Sequence, residues 1–256
     1  MKEKHKFAIY VAQLSRVIPE ELYREMIIKI TDRDICKRIK DVLRLQNGDE
    51  LTIFNRNKYF DCSIKAISKN EIEIEILSKS DIKPLKPEIH IFIGLLKKDS
   101  FENVLYDCVE LGATSITPIL SEKIHKNWFS ESEPLGESKY KNRFEKILIA
   151  AAEQSKNFCL PKIFEPIEFD TFIVDNKSQS NILLDVSGEY VLDIFNRIKD
   201  EDKINLVVGP EGDFSAKEKE LMIQNNFKVC RLTPTVLRSI QAVDVGLGVF
   251  GALFNF

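Results

Sequence analysis

Between Ile204 and Met222 the chain reads INLVVGPEGDFSAKEKELM, with two glycines and a proline placed directly after an apolar run. Leu206, Val207 and Val208 read as a short buried strand of a parallel sheet that ends at Gly209. Ser215 and Glu218 have the spacing of a capping box, which starts a helix running through Leu221 and Met222. The loop Gly209-Pro210-Glu211-Gly212-Asp213 therefore opens at the carboxyl end of a strand, where open α/β sheets bind ligands. A simple turn needs only one of these glycines. The loop is not a phosphate-binding P-loop, because no Lys-Ser/Thr pair follows it, and it is not a dinucleotide GxGxxG.

To position such a loop the chain needs a sheet of alternating strands and helices, and the sequence supplies one. EIHIFIGLL, ATSITPIL, SNILLDV, INLVVG and FKVCRL read as strands. DSFENVLYDCVELG, ended by Gly112, and KYKNRFEKILIAAAEQS read as helices. Strands alternating with helices predict a parallel sheet covered on both faces. The polar stretch from Asn127 to Glu137 reads as a loop.

The amino-terminal part has a different texture. From Asp49 to Leu77 apolar and polar residues alternate, most clearly where Glu71, Glu73 and Glu75 oppose Ile72, Ile74 and Ile76. This period of two marks half-buried antiparallel strands, for which a small β-barrel is the natural closure. A short basic helix and an Asn47-Gly48-Asp49 turn precede them. The stretch SKSDIKPLKPEIH, with Pro84 and Pro87, reads as a linker, giving domains at 1–83 and 84–256.

Composition excludes several classes. At 256 residues and 44% hydrophobic content the chain can bury one large core or two modest ones. No run is long and apolar enough to span a membrane, and the start lacks the apolar segment of a signal peptide. Five scattered cysteines, none in CxxC spacing, read as free buried thiols of a cytoplasmic protein and not as a disulfide scaffold or zinc site. His5, His90 and His125 have no metal-ligand spacing, so no metal is expected. Net charge is 37 − 40 = −3, but residues 1–84 carry 17 − 14 = +3 and residues 85–256 carry 20 − 26 = −6. If nucleic acid is a partner, the amino-terminal part is the better candidate by charge.

The carboxyl-terminal stretch CRLTPTVLRSIQAVDVGLGVFGALF, with VVGPEGDFS, VELGATSITPILSEK and AAAEQS, resembles the RsmE family of SPOUT methyltransferases. These proteins methylate N3 of a uridine in 16S ribosomal RNA. VLRLQNGDEL is similar to the family's amino-terminal PUA-like RNA-binding barrel, so the resemblance covers nearly the whole chain. It implies a trefoil-knotted catalytic domain, an exception to the rule against threaded chains. It also implies a homodimer, S-adenosylmethionine as methyl donor, and ribosomal RNA or the small ribosomal subunit as partner.

By motif match the cofactor's adenosine half is expected at Leu184, at Gly209, Pro210, Glu211 and Gly212, and at Leu232, Pro234 and Leu237. Glycines there would let main-chain groups approach the cofactor. Arg238 matches the arginine of the family's LRxETA motif, and its cation would stabilise negative charge on the base or fix a phosphate. Arg44, Lys97 and Gln154 are the expected substrate-binding residues, and Glu110 and Glu211 also match the family.

The chain departs from the family pattern at Ile240-Gln241-Ala242, which replaces Glu-Thr-Ala, and at Asp213, which replaces a glycine. Ser100, Asp107 and Asn157 stand at positions that are basic in the family. These departures keep two alternatives open: a catalytically weak member that binds RNA or cofactor as an assembly factor, and a methyltransferase for another RNA.

Overall fold

The computed structural model describes residues 6–12, 14, 26–123, 140–177 and 180–256, and the polar stretch 127–137 lies outside them. The chain divides into two compact units, Met1–Lys83 with Ala152–Phe158, and Pro84–Ala151 with Cys159–Phe256.

The first unit holds strands β1 (Phe7–Tyr10) and β2 (Ile27–Ile30), helix α1 (Arg33–Lys37), and strands β3 (Glu50–Phe54), β4 (Lys58–Ile67) and β5 (Ile72–Asp81). They form one sheet in the order β1-β3-β4-β5-β2, antiparallel except where β1 runs parallel to β3. The alternation read in the sequence is visible in β5, where Ile72, Ile74 and Ile76 are buried in the unit's core beside Ile53, Ile64 and Leu51. β5 continues to Asp81 and pairs with β4 as far as Lys58. The connection to the next strand is therefore shorter than the linker expected from its prolines.

Asp32 starts α1 by accepting hydrogen bonds from the amides of Asp34 and Ile35, and one π-helical turn, Arg38–Val42, follows. That turn presents Arg38 to Glu153 in a bidentate pair at 2.8 and 2.5 Å. The same carboxylate accepts the amide of Tyr10 at 2.9 Å, and its side chain is only 7% exposed. Phe158 completes the unit by packing its ring on Phe54 and Tyr59.

The second unit runs β6 (Glu88–Gly94), α2 (Lys98–Glu110), β7 (Ser115–Leu120), α3 (Lys141–Ser155), β8 (Lys162–Ile163), β9 (Ile167–Glu168), α4 (Phe169–Asp175), β10 (Asn181–Tyr190), α5 (Val191–Ile198), β11 (Lys203–Val208), α6 (Ala216–Gln224), β12 (Lys228–Arg231) and α7 (Ser239–Phe254). Its sheet is parallel at every pairing, in the order β12-β10-β11-β6-β7-β8, with β9 also on β7. β7 is buried along its length and β11 from Ile204 to Val208, as strands covered on both faces require. Gly112 ends α2 with a φ of 81°, the left-handed conformation that stops a helix without steric cost. Ser215 and Glu218 form a complete capping box at the start of α6. The two-residue strands β8 and β9 are too short to show a period in the sequence, whereas α5 has apolar residues at Val191, Ile194, Phe195 and Ile198, the spacing of one helical face.

Among the described residues no helix is long and apolar enough to cross a membrane, and no group of three His, Cys, Asp or Glu could hold a metal ion. None of the five cysteines is in a disulfide; Cys159 is half-buried where the other four are buried.

Candidate active site

Three chain segments at the carboxyl ends of neighbouring strands enclose a cavity of about 440 Å³. The first is the middle of β10. Its pairing with β12 shifts register between Leu184 and Glu189, so Asp185–Gly188 leave the ladder and the sheet opens. Only glycine fits at 188, because an added Cβ would lie 2.5 Å from the carbonyl carbon of Val229. The second segment is the loop behind β11, and the third runs from Cys230 at the end of β12 to Ala242 in α7.

Of the expected cofactor residues, Leu184, Gly209, Pro210, Glu211, Leu232 and Leu237 line this cavity. Pro234 does not line it, although its neighbours Thr233 and Thr235 do. Gly212 is also outside the lining, and its open side faces Lys123 at 3.6 Å. The glycines therefore use their space differently from the expected clearance for a ligand. At Gly209 an added Cβ would sit 3.0 Å from Asp213 Oδ1 and 3.4 Å from the Phe214 amide nitrogen, so the loop's own return occupies that space. Gly94 serves the loop from outside: a Cβ there would fall 2.3 Å from Pro210 Cδ.

Arg238 is exposed, lines the cavity and stands as the N-cap residue of α7 in extended conformation. Its backbone carbonyl accepts the Ala242 amide at 2.8 Å. Lys97 is exposed, and its amide donates to Glu211 Oε1 at 3.0 Å, which ties the start of α2 to the loop. Arg44 and Gln154 belong to the first unit, both exposed, Arg44 with a φ of 54°. Neither lines the cavity.

Sequence reading missed the charged wall of the cavity. Lys219, near the start of α6, donates to Asp185 Oδ2 at 2.6 Å and to Asp213 Oδ2 at 2.5 Å. Asp185 also accepts the amide and the hydroxyl of Ser187 at 2.8 and 2.7 Å. Burial works against the charge of Asp185, but the Lys219 and Ser187 hydrogen bonds outweigh it and hold the carboxyl below its usual range. Burial opposes the Lys219 charge as well, and the two aspartates raise its pKa. Asp213 takes the left-handed conformation, φ 60°, which explains why a glycine suits the position and why an aspartate is tolerated there. The only sequence signal for this wall was the unusual Asp213.

The cavity has the composition of a small-molecule site. Leu184, Val208, Leu232 and Leu237 give apolar walls, while Thr233, Thr235, Asp185 and Arg238 give a few polar groups. Its size falls in the range of roughly 300–1,000 Å³ that such ligands occupy.

Residues 83–250 match the family described as RNA methyltransferase domain, and residues 39–77 match the RNA methyltransferase PUA domain. Ribosomal RNA small subunit methyltransferase E of Buchnera aphidicola is 31% identical over 210 residues, covering 80% of this chain and 82% of that protein. The Neisseria gonorrhoeae enzyme of the same name, solved bound to S-adenosylmethionine, shares the fold. Its TM-score is 0.76 at 23% identity, over 98% of both chains. A Legionella pneumophila structure with bound cofactor SAM has a TM-score of 0.75 at 26% identity, covering 97% of this chain and 98% of that one. With the matched domain spanning every residue that lines the cavity, the chain belongs to the ribosomal RNA small subunit methyltransferase E family of RNA methyltransferases.

Proposed function

We propose that this protein binds S-adenosylmethionine in the cavity behind β10, β11 and β12 and methylates N3 of a uridine in 16S ribosomal RNA as a homodimer. The observation that carries the reading is the cavity itself, formed where three parallel strands end and lined by six of the eight residues that motif matching assigns to the cofactor. When bound there, the cofactor supplies an electrophilic methyl group on a positively charged sulfur.

The protein's own residues have three tasks. Leu184, Leu232 and Leu237 exclude water from the apolar part of the ligand, which strengthens polar contacts inside. The Glu211 bond to the Lys97 amide fixes the loop between them. Arg238 is free to act on the substrate: among the described residues its guanidinium makes no hydrogen bond or ion pair, and it lies at the cavity in solvent reach. Neutral uracil offers no in-plane lone pair at N3, so the base must react as its anion. A fixed cation stabilises that anion or anchors its phosphate. Arg44, Lys97 and Gln154 are the proposed RNA contacts, on the exposed surfaces of their respective units.

Helix α7 supports the homodimer. Its Gly248 and Ala252 are exposed, Val245 and Val249 half-exposed, and among the described residues nothing lies within 4 Å of a Cβ built at Gly248. A small-residue apolar stripe of this kind suits a second copy. Sedimentation should show a dimer at sub-micromolar concentration, and a monomer there removes the dimer from the reading.

The second reading, an assembly factor with little turnover, is favoured by Ile240, a half-exposed apolar residue in the first turn of α7 where the family carries a carboxylate. One assay separates the two. Protein, labelled S-adenosylmethionine and undermethylated small subunits are incubated, and the modified nucleotide is mapped. Label at N3 of one uridine supports the enzyme; measurable cofactor binding without transfer supports the assembly factor.

A further inference from the structure

The charged wall of the cavity has a geometry that the proposed reaction does not use. Asp185 is carried by the bulge Asp185–Gly188, the stretch that leaves the β10–β12 ladder, and its side chain is 12% exposed. Its two oxygens are differently occupied. Among the described residues Oδ1 accepts both the amide and the hydroxyl of Ser187, and Oδ2 accepts only Lys219 Nζ. A carboxylate oxygen accepts about two hydrogen bonds, so Oδ2 retains one open acceptor position at a cavity-lining residue.

The charge of this carboxylate is compensated by the ammonium 2.6 Å away. It therefore offers a directed acceptor more than an attractive field, and a directed acceptor selects a neutral donor. The second partner of Lys219, Asp213, has a side chain 60% exposed, where solvent screens its charge. In a nucleoside-bearing ligand the neutral donors of the required strength are the ribose hydroxyls, for which an aspartate at the end of a parallel strand is a known solution in other α/β folds.

Resting on the cofactor reading above, we propose that Asp185 receives one ribose hydroxyl of the cofactor on Oδ2. Lys219 is a positioning residue: it is bonded at once to the β10 bulge and, through Asp213, to the loop behind β11, and it fixes the carboxylate between them. Ser187 holds the other oxygen, so the side chain cannot rotate to offer both. The aspartate at 213 thus has a role that a glycine could not fill: it is the second anchor of Lys219.

The test is calorimetric titration of the intact protein with S-adenosylhomocysteine and with its 2′-deoxy and 3′-deoxy analogues. Wild type should lose roughly tenfold to a hundredfold in affinity for one deoxy analogue and little for the other, the loss expected for one hydrogen bond to a charged group. In Asp185→Ala the parent ligand should bind about as weakly as that deoxy analogue, and the difference between them should vanish. Lys219→Met should shrink the same difference, and Lys219→Arg should restore it, which a purely structural lysine would not do. If Asp185→Ala, shown folded by its circular dichroism, weakens the parent and both deoxy analogues by the same factor, Asp185 does not receive a ribose hydroxyl and the proposal is overturned. If wild type binds none of the three ligands, the cofactor reading of the cavity falls, and this assignment with it.

Discussion

The carboxyl groups of Asp107 on α2 and Asp244 on α7 face each other between the two packed helices, within reach of one shared proton. Oδ1 of Asp244 is buried with no hydrogen-bond partner among the described residues. Burial raises the pKa of Asp107 to about 7, and the neighbouring charges of Asp244 and of Glu110 on its own helix add to the effect.

The sign of the resulting pH dependence is fixed. Asp107 has its ordinary value of 3.8 when the chain is unfolded and about 7 when folded, so the folded state holds the extra proton between them. That contribution to stability is complete below pH 3.8 and is lost as pH rises through about 7. Asp107→Asn should remove this loss. Thermal melts at pH 5, 6, 7 and 8 should show the two proteins diverging upward through neutrality, with the variant a few degrees higher at the top. For a chain of this size ~1 kcal/mol moves the midpoint by about 2–4 °C. Parallel profiles would show that the pair shares no proton.

A second prediction concerns a residue that does not line the cavity. A Cβ at Gly246 of α7 would lie 2.7 Å from Cδ1 of Leu184, and that side chain forms part of the cavity wall. Gly246→Ala gains up to about 1 kcal/mol of helix propensity, so the unliganded protein should melt near the wild-type temperature. Leu184 has to swing away, and cofactor affinity should fall several-fold by calorimetry. Unchanged affinity would mean that Leu184 finds room without entering the cavity.

Arg238 and Ile240 separate binding from turnover. Arg238→Ala should leave cofactor affinity nearly unchanged and lower methyl transfer by roughly tenfold to a thousandfold, the range for one lost electrostatic contact in the transition state. Ile240→Glu combined with Gln241→Thr restores the family's polar pair and should raise transfer to small subunits. A wild type already fully active, and indifferent to that double change, would show that the carboxylate was never required in this chain.

In the first unit, Glu153 supports three donors at once, two from Arg38 and one from the Tyr10 amide. Glu153→Ala leaves the Tyr10 amide without its acceptor and should cost about 1–3 kcal/mol. Denaturant melts measure this directly. A change under 0.5 kcal/mol, the usual range for surface substitutions, would place the pair among solvent-screened ones.

The legibility of these features in the sequence follows the range of the interactions that make them. The strand ending at Gly209, the capping box of Ser215 and Glu218, and the stop at Gly112 are written within a few residues each, so they are read without the fold. The period of two in Ile72, Ile74 and Ile76 is equally local. Lys219 and Asp185 lie 34 positions apart, and their pairing depends on a bulge in β10 that only its β12 neighbour defines. Arg38 and Glu153 lie 115 positions apart and come together by tertiary structure alone. The exclusion of Gly212 and Pro234 from the cavity has the same origin. Each sits in a loop that borders the cavity without lining it, and Gly212 packs towards Lys123 instead.

The 115 positions between Arg38 and Glu153 also have a meaning in time. At about 5–20 residues per second, a ribosome needs roughly 6–23 s to travel from one to the other. For that interval the first five strands are made while the acceptor for Tyr10 and Arg38, and the ring of Phe158 that covers Phe54, have not been synthesised. The amino-terminal unit is thus begun first and closed late, after β6 and β7 have been synthesised. A nascent chain arrested before residue 153 should accordingly be more open to protease in its first eighty-odd residues than one arrested far enough beyond residue 158 for that residue to have emerged.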